Sequence, residues 1–171
     1  LNLTDLLTID CTEEPIKFFI NPSGMLETFY TYKANLIDVF KLNLKVQLGQ
    51  MSQEQLEAHL IEVFANAIQK ALPLVINYEK ASNFEAKKFF STLKFMSPDF
   101  WKRKNLLDVN FLRKAGIVNK SNDKDLFGNP GFYQADNNFT IAFLSTCPIE
   151  EINEIKANLP EGLNVEFIHI K

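Results

Sequence analysis

The sequence has few of the residues on which disulfide-stapled, metal-bound or membrane-spanning proteins depend. Cysteine occurs only at Cys11 and Cys147, and histidine only at His59 and His169, too few for a disulfide framework or a convincing zinc site. The longest apolar runs, such as ALPLVI, are far shorter than the ~20 residues of a membrane-spanning helix. We therefore expect no metal, no cofactor, no membrane insertion and a cytoplasmic location.

Sequence motifs of the common enzyme classes are also missing. The chain contains no G-x-S-x-G, no Walker phosphate loop, no dinucleotide-binding glycine fingerprint and no H-E-x-x-H, so serine hydrolase, kinase and zincin functions have no support. Arginine is scarce as well, with two residues against sixteen lysines, and asparagine and phenylalanine are plentiful. This bias is typical of an AT-rich genome and predicts a bacterial or phage origin.

The composition present is that of an ordinary globular protein. Hydrophobic residues make up 46% and charged residues 23% of 171 positions, enough for one domain with a sizeable core and outside the disordered range. We expect a single α+β domain over residues 1–171. Its predicted parts are N-terminal antiparallel strands over 16–48, a helical middle over about 52–115, and a C-terminal βαβ unit over 139–171.

The N-terminal strands are predicted from local sequence patterns. Ile16 to Ile20 is a short apolar run before the turn residues NPSG, which predicts a strand entering a turn. A second strand is expected within 26–32. The third is predicted from the strict alternation of apolar and polar residues between Leu42 and Leu48.

Helix-capping patterns organise the middle. Ser52 with Gln55 predicts a capping box at the start of an amphipathic helix that ends before Pro73, and Ser82 with Glu85 predicts a second box. A short strand is possible at 74–79 between them. A helix drawn continuously to residue 115 would bury charges, so we expect a break with a new N-cap at Asn105 and an end at Gly116.

The C-terminal part reads as strand, helix and strand. The predicted elements are a strand over 139–145, a helix over 148–159 and a strand over 163–170, with a Pro-Glu-Gly stop after the helix. The connection makes a right-handed βαβ unit if the two strands are parallel neighbours.

Cys147 is the one weak candidate for a catalytic residue. It precedes Pro148, which suits a first helical position, so the thiol would sit at a helix N-cap, where the dipole lowers its pKa. The phrase resembles the active-site segment of peroxiredoxins, in which a strand leads into Cys followed by Pro, Thr and Glu; that resemblance implies a redox role. Here Ile149 replaces the threonine, and Glu150 and Glu151 oppose a thiolate, which favours a structural corner.

A basic region extends over residues 80–120. It holds ten Lys/Arg against three Asp/Glu, whereas the rest of the chain holds eight against eighteen, which predicts two electrostatically distinct surfaces. Phosphates favour clustered cations and single-stranded bases favour aromatic platforms. We therefore regard this region as a candidate surface for an anion, nucleic acid or protein partner, with these contact residues: Lys87, Lys88, Lys94, Trp101, Lys102, Arg103, Lys104, Arg113 and Lys114.

The segment 119–138 is a long polar loop that also carries aromatic residues. Phe127, Phe132 and Tyr133 are candidate contact residues, because loops of this length in compact domains are usually functional or mobile. Asp123 and Asp125 invite a calcium interpretation, but the glycine and glutamate positions of an EF-hand are wrong. We expect no metal there.

The sequence favours a non-enzymatic protein–protein interaction or assembly domain, with a protein partner or self-association. Charge segregation and an aromatic-bearing loop support this hypothesis, whereas the motifs of catalysis are missing. One alternative is a nucleic-acid-binding module that uses residues 80–120. A second alternative is an enzyme in which Cys147 is the reactive thiol.

Overall fold

The computed structural model describes Asp5 and residues 9–171, and its centre is a five-stranded sheet. The strands are β1 (Ile16–Ile20), β2 (Asn35–Asp38), β3 (Leu74–Asn77), β4 (Ile141–Ser145) and β5 (Val165–His169). The helices are α1 (Met25–Lys33), α2 (Val39–Gln47), α3 (Gln53–Lys70), α4 (Ala86–Ser91), α5 (Arg103–Leu106), α6 (Val109–Ala115) and α7 (Ile152–Ala157).

Every pairing in this sheet is parallel, and the strand order is β2-β3-β4-β1-β5. The prediction of an α+β fold with N-terminal antiparallel strands is therefore wrong, and the architecture is α/β. The physical reason is that helices separate consecutive strands, and such crossovers return the chain to run in the same direction. Sequence patterns of single elements did not contain this pairing information.

The predicted second and third strands are helices. Residues 25–33 form α1 and residues 39–47 form α2. In α2 the residues that face the core are Val39, Leu42 and the partly buried Val46, at helical spacing, whereas Leu44 and Leu48 are exposed. The alternation over 42–48 was therefore misleading, because only some of its apolar residues are buried.

The capping predictions for the helical middle are correct in part. The box of Ser52 and Gln55 at the start of α3 is confirmed in both of its hydrogen bonds. Ser82 instead donates to Glu151 and Glu154, so the second box is wrong. Asp108, and not Asn105, caps α6 by accepting from two backbone amides, and Gly116 ends that helix as expected.

In the C-terminal part, β4, α7 and β5 form the expected order, and the two strands are parallel. They are not neighbours, because β1 lies between them and pairs with both. Pro148 has an extended backbone and precedes a short 3-10 turn, and α7 begins only at Ile152. Cys147 is thus not the N-cap of that helix.

The two faces of the sheet bury different clusters of side chains. Phe18, Ile76 and Phe143 face a large core formed with α3 and the segments after it. Phe19, Val75 and Leu144 point the opposite way and pack with Leu26 of α1. Successive residues of a strand alternate between faces, so α1 covers one face while α2 to α7 cover the other.

In the described part of the chain, no helix combines the length and the apolar character that crossing a bilayer requires.

Candidate functional site

The carboxyl ends of parallel strands form the edge of an open α/β sheet at which ligands bind. Ligands of open α/β sheets bind where connections from neighbouring strands leave on opposite faces. Here the connection from β1 leaves through α1 on one face, and the connection from β4 leaves through α7 on the other face. The β1–β4 boundary is therefore the switch point of this sheet.

Side chains of the protein itself fill this switch point. Asn21 is fully buried, accepts from the Leu26 amide at 2.9 Å, and donates through Nδ2 to the Ser23 hydroxyl at 3.0 Å and the Ile170 carbonyl at 3.2 Å. The carboxamide oxygen of Asn21 thus accepts the hydrogen bond of the Leu26 amide, in the first turn of α1, which could otherwise bind an anion.

A carboxylate next to this position also disfavours an anionic ligand. Asn77, at the end of β3, is fully buried and donates to the Glu27 carboxylate at 3.0 Å, and it accepts from the Glu79 amide at 3.0 Å. The loop before α1 holds no lysine to offset Glu27. The switch point therefore lacks the positive field that phosphate groups require.

A charged cluster lies farther along the same edge. Lys41 Nζ is 3.6 Å from Asp38 Oδ2 and 3.1 Å from Glu79 Oε1. Burial, together with a hydrogen bond to Glu79, raises the pKa of Asp38 to about 7. Burial opposes ionisation of Glu79, but hydrogen bonds from Asp38 and Lys41 lower its pKa. Asp38 therefore gains or loses its proton close to neutral pH.

A concave surface lies beside β2, and we call it the β2 groove. Its volume is about 1180 Å³, and β2 forms its floor between α3 and the loop after α6. Leu126 and Phe127, which are 65% and 93% exposed, lie on its loop side. Its lining includes Leu36, Asp38, Glu62, Lys70, Lys124 and Phe127.

Hydrogen bonds attach the loop wall of the groove to α3. Gln69 Nε2 donates to the Lys124 carbonyl at 2.6 Å, and the Tyr133 hydroxyl donates to the Ala65 carbonyl at 2.5 Å. Tyr133 is buried, whereas Phe132 is 66% exposed and does not line the groove. Of the three aromatic residues proposed from sequence, Phe127 alone is exposed on the groove.

The cations of the basic region fall into two groups. Lys102 pairs with Asp99 at 2.7 Å, Arg113 pairs with Asp123 at 3.0 Å, and Lys88 lies 3.9 Å from Glu85. Arg103 donates to the carbonyls of residues 137 and 139. Within the described residues the remaining members of the predicted set form no ion pair: Lys87, Lys94, Lys104 and Lys114.

The aromatic residues of that region are inside the protein. Trp101 is 2% exposed, with its ring centroid 5.6 Å from Phe90 and 5.0 Å from Phe100 in edge-to-face contacts. Phe89 and Phe95 are buried as well. None of these five rings is available for stacking on a base unless the core opens.

Cys147 has the surroundings of an unreactive core residue. Its side chain is fully buried, and burial raises its pKa, with Glu151 and Glu154 adding to that effect. The backbone amide of Cys147 donates to the Ser145 hydroxyl at 3.2 Å. A buried thiol that is kept protonated is a poor nucleophile.

The loop carboxylates are occupied by the chain itself. Asp123 binds Arg113, and Asp125 accepts from the amides of residues 127 and 129 and from the Asn129 side chain. A search of the described residues finds no group of three or more His, Cys, Asp or Glu side chains arranged to hold a metal ion.

Sequence reasoning missed four polar residues at the carboxyl edge, namely Asn21, Asp38, Asn77 and Glu79. Three of them end or directly follow an apolar run, as in IKFFI-N, NLI-D and LVI-N. The signal in the sequence for these residues was a polar residue at or directly after the end of an apolar run.

The fold and these surfaces define an α/β domain with a filled switch point and an open groove at one sheet edge. Comparisons with protein-family models, with characterised proteins and with solved structures find no match to this chain.

Proposed function

We propose that this chain is a non-enzymatic protein–protein interaction or assembly domain, and that it binds its partner in the β2 groove. The observation that carries this proposal is the groove itself, with Leu126 and Phe127 exposed beside a sheet edge that has no further partner strand among residues 9–171. Exposed apolar groups next to a concave surface are typical of interaction sites.

The state of the switch point supports the same proposal. Asn21, Asn77 and Glu27 occupy the place where an α/β enzyme holds its ligand. Catalytic groups also need a reactive atom within reach of substrate, and the thiol of Cys147 is enclosed by the core. The groove is more accessible than either of these places.

The burial of the rings in the basic region also weighs against the nucleic-acid alternative. Cations without aromatic platforms can still bind phosphates in a salt-dependent manner. A titration with DNA and RNA at two salt concentrations tests this alternative, and tight binding at low salt that is lost in Lys87→Glu and Lys104→Glu variants would favour it over our proposal.

The direct test compares Phe127→Asp with Phe132→Asp. Both change an exposed loop phenylalanine, but only Phe127 lines the groove. The measurements are the solution mass over a concentration series and affinity capture from cells of the source organism, with each variant as bait. We expect the partner, or the self-associated form, to be lost with Phe127→Asp and kept with Phe132→Asp. Equal retention by both variants would contradict the proposal.

A further inference from the structure

The floor of the β2 groove is a strand edge. Within the described residues β2 is the terminal strand of the sheet, and its one partner there is β3. The Asn35 amide donates to the Pro73 carbonyl at 2.8 Å on the β3 side. Because successive residues direct their backbone groups to opposite sides of a strand, the amide and carbonyl of Leu36 point into the groove.

The dimensions of the groove suit a peptide better than a small molecule. Small-molecule pockets have volumes of roughly 300–1,000 Å³, and this groove, at about 1180 Å³, is larger and runs beside all four residues of β2. The two hydrogen bonds from Gln69 and Tyr133 hold its walls in place. A fixed groove reduces the ordering cost of binding an extended chain.

The charged residues of the groove lining are distributed unevenly along β2. The Asn35 amide donates to the Pro73 carbonyl, which places the end of α3, with Lys70, at the start of β2. Lys124 lies at the same end, because its carbonyl accepts a hydrogen bond from Gln69, the neighbour of Lys70. Glu62 lies eight residues earlier in α3, about 12 Å away at 1.5 Å per residue. This matches the ~10 Å length of β2, so Glu62 lies level with Asp38. The groove is basic at one end and acidic at the other.

Lys124 and Asp125 are adjacent in the loop wall and carry opposite charges. The Asp125 carboxylate accepts three hydrogen bonds from within its own loop, which lower its pKa and keep it ionised. Glu62 therefore sets the acidic end and Lys70 sets the basic end, because Asp38 is paired with Lys41 and Lys124 is followed by Asp125.

We propose that the β2 groove binds an extended peptide segment of a partner protein as an added strand beside β2. The segment places a basic side chain at the Glu62 end and an acidic side chain at the Lys70 end. This inference rests on the proposed function and states its binding mode. Backbone hydrogen bonds to Leu36 supply affinity, and the charged ends supply orientation.

A second copy of β2 fits the groove less well than a single peptide. β2 lies at the bottom of the groove, between the wall of α3 and the wall carrying Phe127. The β2 strand of another copy would bring its own α3 and its own Phe127 loop with it, and these segments would have to be accommodated beside the groove as well. An isolated extended segment has no such walls.

The test selects binders from a display library of random ten-residue peptides against the full chain. Selected peptides are then synthesised and measured on wild type and on Leu36→Pro, which removes the outward amide at an edge position that tolerates proline. Circular dichroism and thermal unfolding verify that the variant is folded. We expect at least a tenfold loss of affinity with Leu36→Pro.

Two further measurements examine backbone pairing and charge. N-methylation along the peptide should abolish binding at alternate positions only. The double variant Glu62→Lys with Lys70→Glu should prefer peptides whose terminal charges are exchanged, whereas Glu54→Lys, on α3 but outside the groove, should leave the preference unchanged.

The inference is overturned if no peptide is selected, if Leu36→Pro binds as well as wild type, or if N-methylation is tolerated throughout. These failures differ from failure of the proposed function. If Phe127→Asp still abolishes partner capture, the groove remains an interaction site that does not add a strand. If Phe127→Asp has no effect either, both proposals fail.

Discussion

Asp38, at the end of β2, and Glu79, just after β3, share one cation, because Lys41 Nζ lies 3.6 Å from the first carboxylate and 3.1 Å from the second. Burial of Asp38 raises its pKa from 3.8 to about 7, and the neighbouring Glu79 carboxylate adds to that effect. The cluster therefore makes stability depend on pH.

The first prediction concerns this dependence. Between pH 3.8 and about 7 the unfolded chain loses the Asp38 proton while the folded chain retains it, so rising pH lowers the free energy of unfolding in this window. The lowered pKa of Glu79 acts in the opposite sense, but only below its ordinary value of 4.5. Asp38→Asn should therefore gain thermal stability relative to wild type as pH rises from 5 to 8.

Thermal unfolding at several pH values measures this difference. Glu161→Gln, which neutralises an exposed carboxylate outside the cluster, is the matched control and should give a constant difference from wild type. A difference for Asp38→Asn that does not change with pH would show that Asp38 does not hold its proton in the folded state.

The second prediction concerns the filled switch point. Asn21→Ala leaves the Leu26 amide and the Ile170 carbonyl without their buried partner and should cost about 1–3 kcal/mol in stability. Ser23→Ala, which removes a hydroxyl from the same loop, should cost much less. Urea unfolding measures both variants, and equal losses would mean that Asn21 does not hold this junction together.

The third prediction separates Arg103 from its neighbour Lys104. The Arg103 guanidinium donates to two carbonyls, at 2.7 Å and 2.6 Å, and lysine cannot reproduce that fork. Arg103→Lys should therefore lower the free energy of unfolding by about 1–2 kcal/mol. Lys104→Ala, at a position without an ion pair in the described structure, should stay within about 0.5 kcal/mol. Similar effects of the two changes would argue that Arg103 has no structural role.

The fourth prediction concerns the two thiols. Cys147 is fully buried and Cys11 is half-buried, and burial raises the pKa of both. Cys11→Ser isolates Cys147 and Cys147→Ser isolates Cys11 for labelling with a thiol reagent. We expect labelling of Cys147 to require unfolding of the core and labelling of Cys11 to be faster in the native protein. Rapid native labelling of Cys147 would revive the hypothesis of a reactive thiol.

Part of this fold was predictable because some signals are local. The capping box at Ser52, the end of α6 at Gly116 and the apolar runs of β1 and β4 depend on contacts within a few residues. The elements that were predicted wrongly depend instead on contacts with segments far away in the sequence. In α2 the burial of Leu42 and the exposure of Leu44 are set by β3 and α3, so the local alternation could not reveal the helix.

The candidate site was less predictable than the fold. Phe127 was proposed as a contact residue of the loop, and that role stays a prediction; its neighbours in the groove come from β2 and α3, far away in sequence. Trp101 was grouped with lysines that precede and follow it, whereas its ring packs inward against Phe90 and Phe100. Spacing alone does not say which side of a short segment faces the core.

The sequence by itself determined the amount of apolar material, the charge asymmetry around residues 80–120 and the caps of individual helices, because these depend on composition and on neighbours in the chain. Only the tertiary structure decided that the strands are parallel, that Asn21 fills the switch point and that β2 is the edge strand of the described sheet, beside an open groove. Those features come from hydrogen bonds and packing between segments far apart in the chain, whose pairing no local pattern encodes.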